Sequence, residues 1–245
     1  MTGPSARYSV VTFDLWNTLL EGSTGRHGRD RRVDLVGELL GDVGQYRPPD
    51  LIHSAFDHAF EVFEHCWYQG ELFDVEIGTR AVLSFLKAEL PERLIAHLSG
   101  QIEWAGGDTV PSVAVGIGEV LEALRSADLR LGIISDTGLT GGLVLRTQLD
   151  RLDLLSFFDH WSFSDEVGAF KPAARIFDHA RMGLGSPDPV RMLHVGDLLR
   201  TDVAGARAVG WHTARYTGFN DDDSDLDEAD IVVDSHSEVV QYVLG

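Results

Sequence analysis

At 245 residues, with 39 acidic against 20 basic side chains and a formal charge of −19, the chain can bury one sizeable core with an insert, and it lacks the basic footprint that nucleic acid or an anionic membrane requires. No apolar run reaches membrane-spanning length, Met1 to Ala6 carries neither the basic region nor the apolar core of a signal sequence, and the single Cys66 has no partner for an internal disulfide or a CxxC metal site. A soluble, cytoplasmic protein is the expectation.

The first element is the run Tyr8 to Phe13, which stops at Asp14 and breaks into small polar residues. A β-rich run ending in an acid reads as a parallel strand presenting a side chain at its carboxyl end, where open α/β sheets place their ligands. An Asp in this position also serves as a turn former or helix N-cap, so its company decides. Glu21 to Gly28 is a glycine-rich, polar loop. Four helices are then predicted around Val33–Leu40, Leu51–Phe63, Ala81–Leu86 and Leu94–Ile102, with Pro48-Pro49 and Pro91 marking helix starts.

From about Thr109 the pattern alternates. Helices are expected at Glu119–Ala127, Leu143–Leu155, Ala173–Met182, Asp202–Val209 and Ser237–Leu244, and strands at Leu129–Ser135, Trp161–Ser164, Met192–Val195, Thr213–Tyr216 and Ile231–Val233. Such alternation implies parallel strands joined by crossovers, with helices on both faces: a Rossmann-like, doubly wound α/β core interrupted by an all-helical insert. The core is expected to take residues 1–22 and 108–245, and the insert residues 23–107. The acidic run Asp221 to Asp230 reads as a solvated loop, since it lacks the spacing and glycine of a calcium-binding loop.

The residues at the strand ends form an ordered set: Phe13-Asp14-x3-Thr18-Leu19, Ser135-Asp136, Lys171-Pro172, and Gly196-Asp197-x4-Asp202 followed by Gly205-Ala206. Together they resemble the four motifs of the haloacid dehalogenase-like (HAD) superfamily, and the helical insert resembles that family's C1-type cap. The resemblance implies a nucleophilic Asp14 that forms an aspartyl-phosphate, Ser135 hydrogen-bonded to a phosphoryl oxygen, and Lys171 neutralising Asp14 and the incoming anion. It further implies Mg²⁺ held by Asp14, the Trp16 backbone carbonyl, Asp197 and Asp202, with Trp16, Asn17 and Asp136 beside a small anionic, phosphorylated substrate. Taken singly, Ser135, Lys171 and Asp202 equally suit a helix N-cap, a surface lysine and an N-cap.

One position departs from the pattern. Family phosphatases carry a second Asp two residues after the nucleophile as general acid and base; this chain has Trp16, whose indole N–H cannot shuttle a proton at neutral pH. Three readings remain: a Mg²⁺-dependent phosphohydrolase or phosphotransferase, which suits good leaving groups or borrows an acid from His27, Asp30 or Asp136; a metal-free 2-haloacid dehalogenase-like enzyme, whose members carry an aromatic residue there; and a catalytically weakened binding protein. Asp197 favours the first, because the dehalogenases replace that acid with an uncharged residue. Phe56, Phe60, Phe63, Trp67, Tyr68 and Phe73 in the insert suit a helical core or a pocket lining, and Arg26, Arg47 and Arg80 are candidate anchors for an anionic tail.

Overall fold

The structure is a computed structural model and describes residues 7–22 and 28–245, so Arg26 and His27 lie outside the described residues. Six strands form one all-parallel sheet: β1 (Val10–Phe13), β2 (Arg130–Ser135), β3 (His160–Phe163), β4 (Met192–Gly196), β5 (His212–Tyr216) and β6 (Ile231–Val233). Their order is β3-β2-β1-β4-β5-β6. The chain runs outward from β1 through β2 to β3 and then returns to the other side of β1 with β4. That reversal creates a switch point between β1 and β4, the position at which open α/β sheets bind ligands.

Central parallel strands buried on both sides are mostly apolar, and β1 is buried at all four positions, Thr12 included. Its side chains alternate between faces. Val10 joins a cluster with Ile176, Phe177 and Ala206, whereas the Phe13 ring meets Phe158 and His236. Helices therefore cover both faces, as the alternation predicts.

Cα proximity divides the described chain into two compact units, residues 7–22, 111–136 and 150–245 in one, 28–110 and 137–149 in the other. The second contains α1 (Arg29–Asp42), α2 (Pro49–Gln69), α3 (Val75–Phe85) and α4 (Glu92–Ala105), packed around Val36, Leu40, Ile52, Val82, Leu98 and Ile102. Pro48 and Pro91 stand at the N-caps of α2 and α4, where a missing N–H costs nothing, and the Asp74 carboxylate caps α3 by accepting from Ile77 N at 2.8 Å. Residues 137–149, assigned to the core from sequence, cluster with the helices. Arg32 accounts for part of this. Only 4% exposed, it donates to the Ile102 carbonyl at 2.9 Å and to Thr140 Oγ1 at 2.7 Å, tying the segment after Asp136 to α4.

The sheet is flanked by α5 (Ile117–Ser126), the end of α6 (Gly142–Arg151), α7 (Ser164–Val167), α8 (Ala174–Gly183), α9 (Ala204–Ala208) and α10 (His236–Leu244). Several element bounds differ from expectation, among them α6, which ends at Arg151, short of Leu155. Ser164 begins the short helix α7 instead of ending β3. The helix expected from Asp202 is preceded by a wide π-type turn, Leu199–Val203, in which the Val203 N–H reaches the Leu198 carbonyl at 3.2 Å. The acidic run is the mostly exposed loop that was expected, and it is also tied down: Asp221 and Glu228 pair with Arg215, Asp222 accepts from Leu199 N, and Asp230 accepts from Thr213 N. Among the described residues, no helix is long and apolar enough to cross a membrane.

Candidate active site

Register builds the site. Phe13 pairs with Ile133 on one side and Val195 on the other, so the next residue, Asp14, emerges between the ends of β2 and β4. Ser135 closes β2, and Asp197 follows β4 directly. Lys171 arrives from the loop between α7 and α8, its backbone N–H donated to Asp136 Oδ1 at 2.9 Å.

Lys171 is the hinge of the electrostatics. Its Nζ donates to Asp14 Oδ1 at 2.5 Å and to Asp202 Oδ1 at 2.6 Å, with all three residues 5% exposed or less. Buried charges persist only when paired and hydrogen-bonded. Burial lowers the lysine's proton affinity, but the Asp14 and Asp202 carboxylates outweigh it and hold the ammonium above its ordinary range. Burial likewise raises Asp202, and the Lys171 ammonium with the His194 contact more than reverses this, holding the carboxyl below its ordinary range.

Asp14 and Asp197 lack that compensation. Burial pushes Asp14 well up despite Lys171, with Asp202 and Asp197 adding to the rise. Asp197, 2% exposed, is pushed up to about 7 by burial and then by the Asp202 charge. Three carboxylates thus share a single ammonium. Hard carboxylate oxygens in excess of positive charge are the donor set that suits Mg²⁺, so Asp14 and Asp197 fit that ion. Asp202 fits less well as a direct ligand. Its Oδ1 accepts from Lys171 and faces His194 Nε2 at 3.0 Å, while its Oδ2 accepts from Leu198 N at 3.1 Å and from Thr201 Oγ1 at 3.4 Å. Among the described residues, no three acidic, histidine or cysteine groups are arranged as a metal cage.

Other expected site residues take structural positions. Asn17 adopts φ 57°, in the left-handed region that asparagine tolerates, and its Oδ1 accepts from Gly22 N at 3.0 Å, so it shapes the turn after Asp14. Asp136 spends Oδ1 on the Lys171 backbone. Ser135 is fully buried, its Oγ only 3.4 Å from the Asp136 carbonyl, a contact too long to compete strongly for the hydroxyl proton. Trp16 is half-buried and its backbone bridges to Leu20. In the helical unit, Arg47 donates to the Leu86 and Lys87 carbonyls and Arg80 to Glu76 and Glu92, so both candidate anchors hold local structure. Phe56 and Phe73 are core residues, whereas Phe60 and Tyr68 are exposed.

Sequence reasoning missed two partners. A histidine at a strand end is ordinarily a packed polar residue; His194 bridges Thr12 Oγ1, 2.9 Å from Nδ1, to Asp202. Its position two residues before Gly196 on a strand puts it on the same face as that glycine, and that periodicity was the available signal. Gly196 itself is required by close approach, since a Cβ there would lie 2.3 Å from the Asp202 carboxyl carbon. Asn220 is the second, donating from Nδ2 to Asp197 Oδ2 at 3.0 Å. Nothing in its local sequence announces this.

A doubly wound parallel sheet that presents a buried acid–lysine–acid cluster at its switch point defines an α/β enzyme working at its strand ends. The family of haloacid dehalogenase-like hydrolases matches residues 8–210, and the chain belongs to that family. Haloacid dehalogenase-like hydrolase domain-containing protein 3 of Bos taurus is 30% identical over 221 residues, covering 85% of this chain and 82% of that protein. Pyrimidine 5'-nucleotidase YjjG of Escherichia coli is 36% identical over 94 residues, covering 38% of this chain and 40% of that protein. In three such matches the aligned stretch is 40%, 47% and 54% of the relative, so the chain spans about half the length of those curated relatives. A 2-haloacid dehalogenase from Pseudomonas syringae pv. Tomato superposes with a TM-score of 0.69 at 20% identity, covering 97% of this chain and 98% of that one, a likeness of fold.

Proposed function

We propose that the protein is a Mg²⁺-dependent phosphohydrolase or phosphotransferase acting on a small phosphorylated substrate through Asp14. The observation that carries this reading is the Lys171 ammonium shared between Asp14 Oδ1 and Asp202 Oδ1. Lys171 fixes one oxygen of Asp14 and leaves Oδ2 to attack phosphorus. A P–O bond forms to Oδ2 as the bond to the leaving oxygen breaks and its electron pair departs with that oxygen. Ser135 Oγ–H donates to an equatorial phosphoryl oxygen, and Lys171 offsets the anionic charge. When bound by Asp14 and Asp197, with the Trp16 carbonyl as a further donor, Mg²⁺ supplies charge neutralisation to the transferring group. Water, or an acceptor hydroxyl, then attacks phosphorus; the P–O bond to Asp14 Oδ2 breaks, its electron pair regenerates the carboxylate, and the proton of the attacking oxygen passes to the phosphate product or to solvent. The nucleotidase relative's name supports a phosphate ester as substrate.

Trp16 sets the limit on rate. Without a positioned acid, an alkoxide must depart unprotonated, which typically costs on the order of 10²–10⁴ in rate. Stabilised leaving groups escape that penalty.

The test is p-nitrophenyl phosphate turnover with and without Mg²⁺, followed from the first turnover. Nitrophenolate release that requires Mg²⁺ and disappears in Asp14→Asn is the expected result. A burst that then stalls locates the cost of Trp16 in the second, hydrolytic step. No release with any divalent ion refutes the phosphohydrolase reading. Chloride release from 2-chloropropionate without metal then favours the dehalogenase alternative, to which the aromatic Trp16 points.

A further inference from the structure

The acidic stretch after β5 has a use that the proposed chemistry does not yet absorb. Arg215 on β5 pairs in register with Gly196, the residue before Asp197. Arg215 is 6% exposed, and its guanidinium grips the following loop at two points: Nη1 donates to Asp221 Oδ1 at 2.7 Å, while Nε and Nη2 form a fork on Glu228 at 2.9 and 2.8 Å. Asp222 adds a third tie, accepting from Leu199 N at 2.8 Å. These bonds fold the loop back over the end of β4, and Asn220 in it donates to Asp197 Oδ2 at 3.0 Å.

We propose that Asn220, held in place by the Arg215 clamp, is a positioning residue for Asp197: it engages Oδ2 and leaves Oδ1 as the oxygen that a divalent cation takes. This inference rests on the metal-dependent reading above. A ligating carboxylate is usually held by a hydrogen bond to its other oxygen, and losing such a partner typically weakens metal binding by about 10- to 100-fold. Only an amide or another donor suits the position, because a further carboxylate there would confront Asp197 with like charge. The clamp must be a planar fork, so lysine cannot replace Arg215.

The experiment is calorimetric titration of the full chain with Mg²⁺, and separately with Mn²⁺, at constant ionic strength. Asn220→Ala is expected to weaken binding by about 10- to 100-fold, and Arg215→Lys to do so to a smaller extent. The comparator is Asp223→Ala, an exposed acid in the same loop. It lowers the loop's charge without touching Asp197, and its affinity is expected to match the parent. Equal weakening in Asp223→Ala and Asn220→Ala means that any disturbance of the loop lowers affinity, with no particular role for the Asn220 amide, which overturns the inference. Parent-like affinity in Asn220→Ala overturns it too, while leaving the metal reading intact. Absence of binding to the parent protein overturns the metal reading and the inference together.

Discussion

Thr12→Val tests the buried chain of hydrogen bonds behind Lys171. The Thr12 hydroxyl has one proton and two potential acceptors, the Leu193 carbonyl at 3.4 Å and His194 Nδ1 at 2.9 Å. The shorter contact takes the proton. Burial also disfavours the charged imidazole, so His194 is neutral, carries its own proton on Nε2 and donates it to Asp202 Oδ1 at 3.0 Å. Valine keeps the volume and the β-branched shape that suits a strand, so the substitution removes little besides the donor. It leaves Nδ1 buried without a partner, at a cost of about 1–3 kcal/mol. Should the ring change tautomer to escape, the Nε2 lone pair faces the Asp202 carboxylate and the charge-assisted bond is lost. Urea unfolding is expected to show a midpoint shift worth about 1–3 kcal/mol at unchanged slope, and nitrogen NMR of the parent to show His194 protonated at Nε2. A valine variant as stable as the parent, with the same imidazole signature, would refute the reasoning.

Other expectations follow from the same geometry. In Gly196→Ala the new Cβ meets the Asp202 carboxyl carbon at 2.3 Å, so Asp202 must move off Lys171; turnover should fall by at least about tenfold and stability by about 1–3 kcal/mol, read by steady-state kinetics and urea unfolding. Trp16→Asp restores a proton donor, and should raise kcat for an alkyl phosphate by about 10²-fold or more while scarcely changing the first turnover of an aryl phosphate. Mg²⁺ affinity should climb as pH rises toward about 7, because the ion must displace the proton that Asp197 retains to about that pH, together with any that burial keeps on Asp14; calorimetry in buffers of different ionisation enthalpy counts them. Without metal the sign reverses: the folded state keeps that proton after the unfolded chain has lost its own, so stability falls as pH rises from the ordinary carboxylate range to about 7. Arg32→Met strips a charged donor from Ile102 O and Thr140 Oγ1, and should destabilise the protein by about 2–3 kcal/mol and speed amide exchange in residues 138–145.

The strands were legible because parallel strands buried on both sides must be apolar, and Asp14, Ser135 and Asp197 stood out as the polar residues that end them. Lys171 was legible only in order with the others; alone it read as any lysine before a proline. The partners were harder to see. Thr12 and His194 lie 182 residues apart and meet through register between two strands, which no local pattern encodes. Asn17 was read as a substrate contact, but a short amide after a strand serves a left-handed turn equally well, and here the turn uses it. Asp202 carries the residue type of a metal ligand, yet four donors reach its two oxygens. The acidic run is exposed to solvent as its charge density suggests; what it does not announce is the buried cation that organises it, Arg215, which sits outside the run.

The sheet's margins bear on how the protein behaves at high concentration. Its outermost strands are its shortest or nearly so, four residues in β3 and three in β6, and each is bordered by acid: Asp159 before one, Asp230 and Asp234 around the other. A strand at a sheet margin exposes backbone donors and acceptors that a neighbouring molecule can extend into a growing stack. Here that template is only three or four residues long and carries negative charge on a chain of net charge −19, so two molecules approaching edge to edge repel before they can pair. Self-association through the sheet is therefore disfavoured most at low ionic strength. Salt, by screening those acids, is the condition under which it should first emerge.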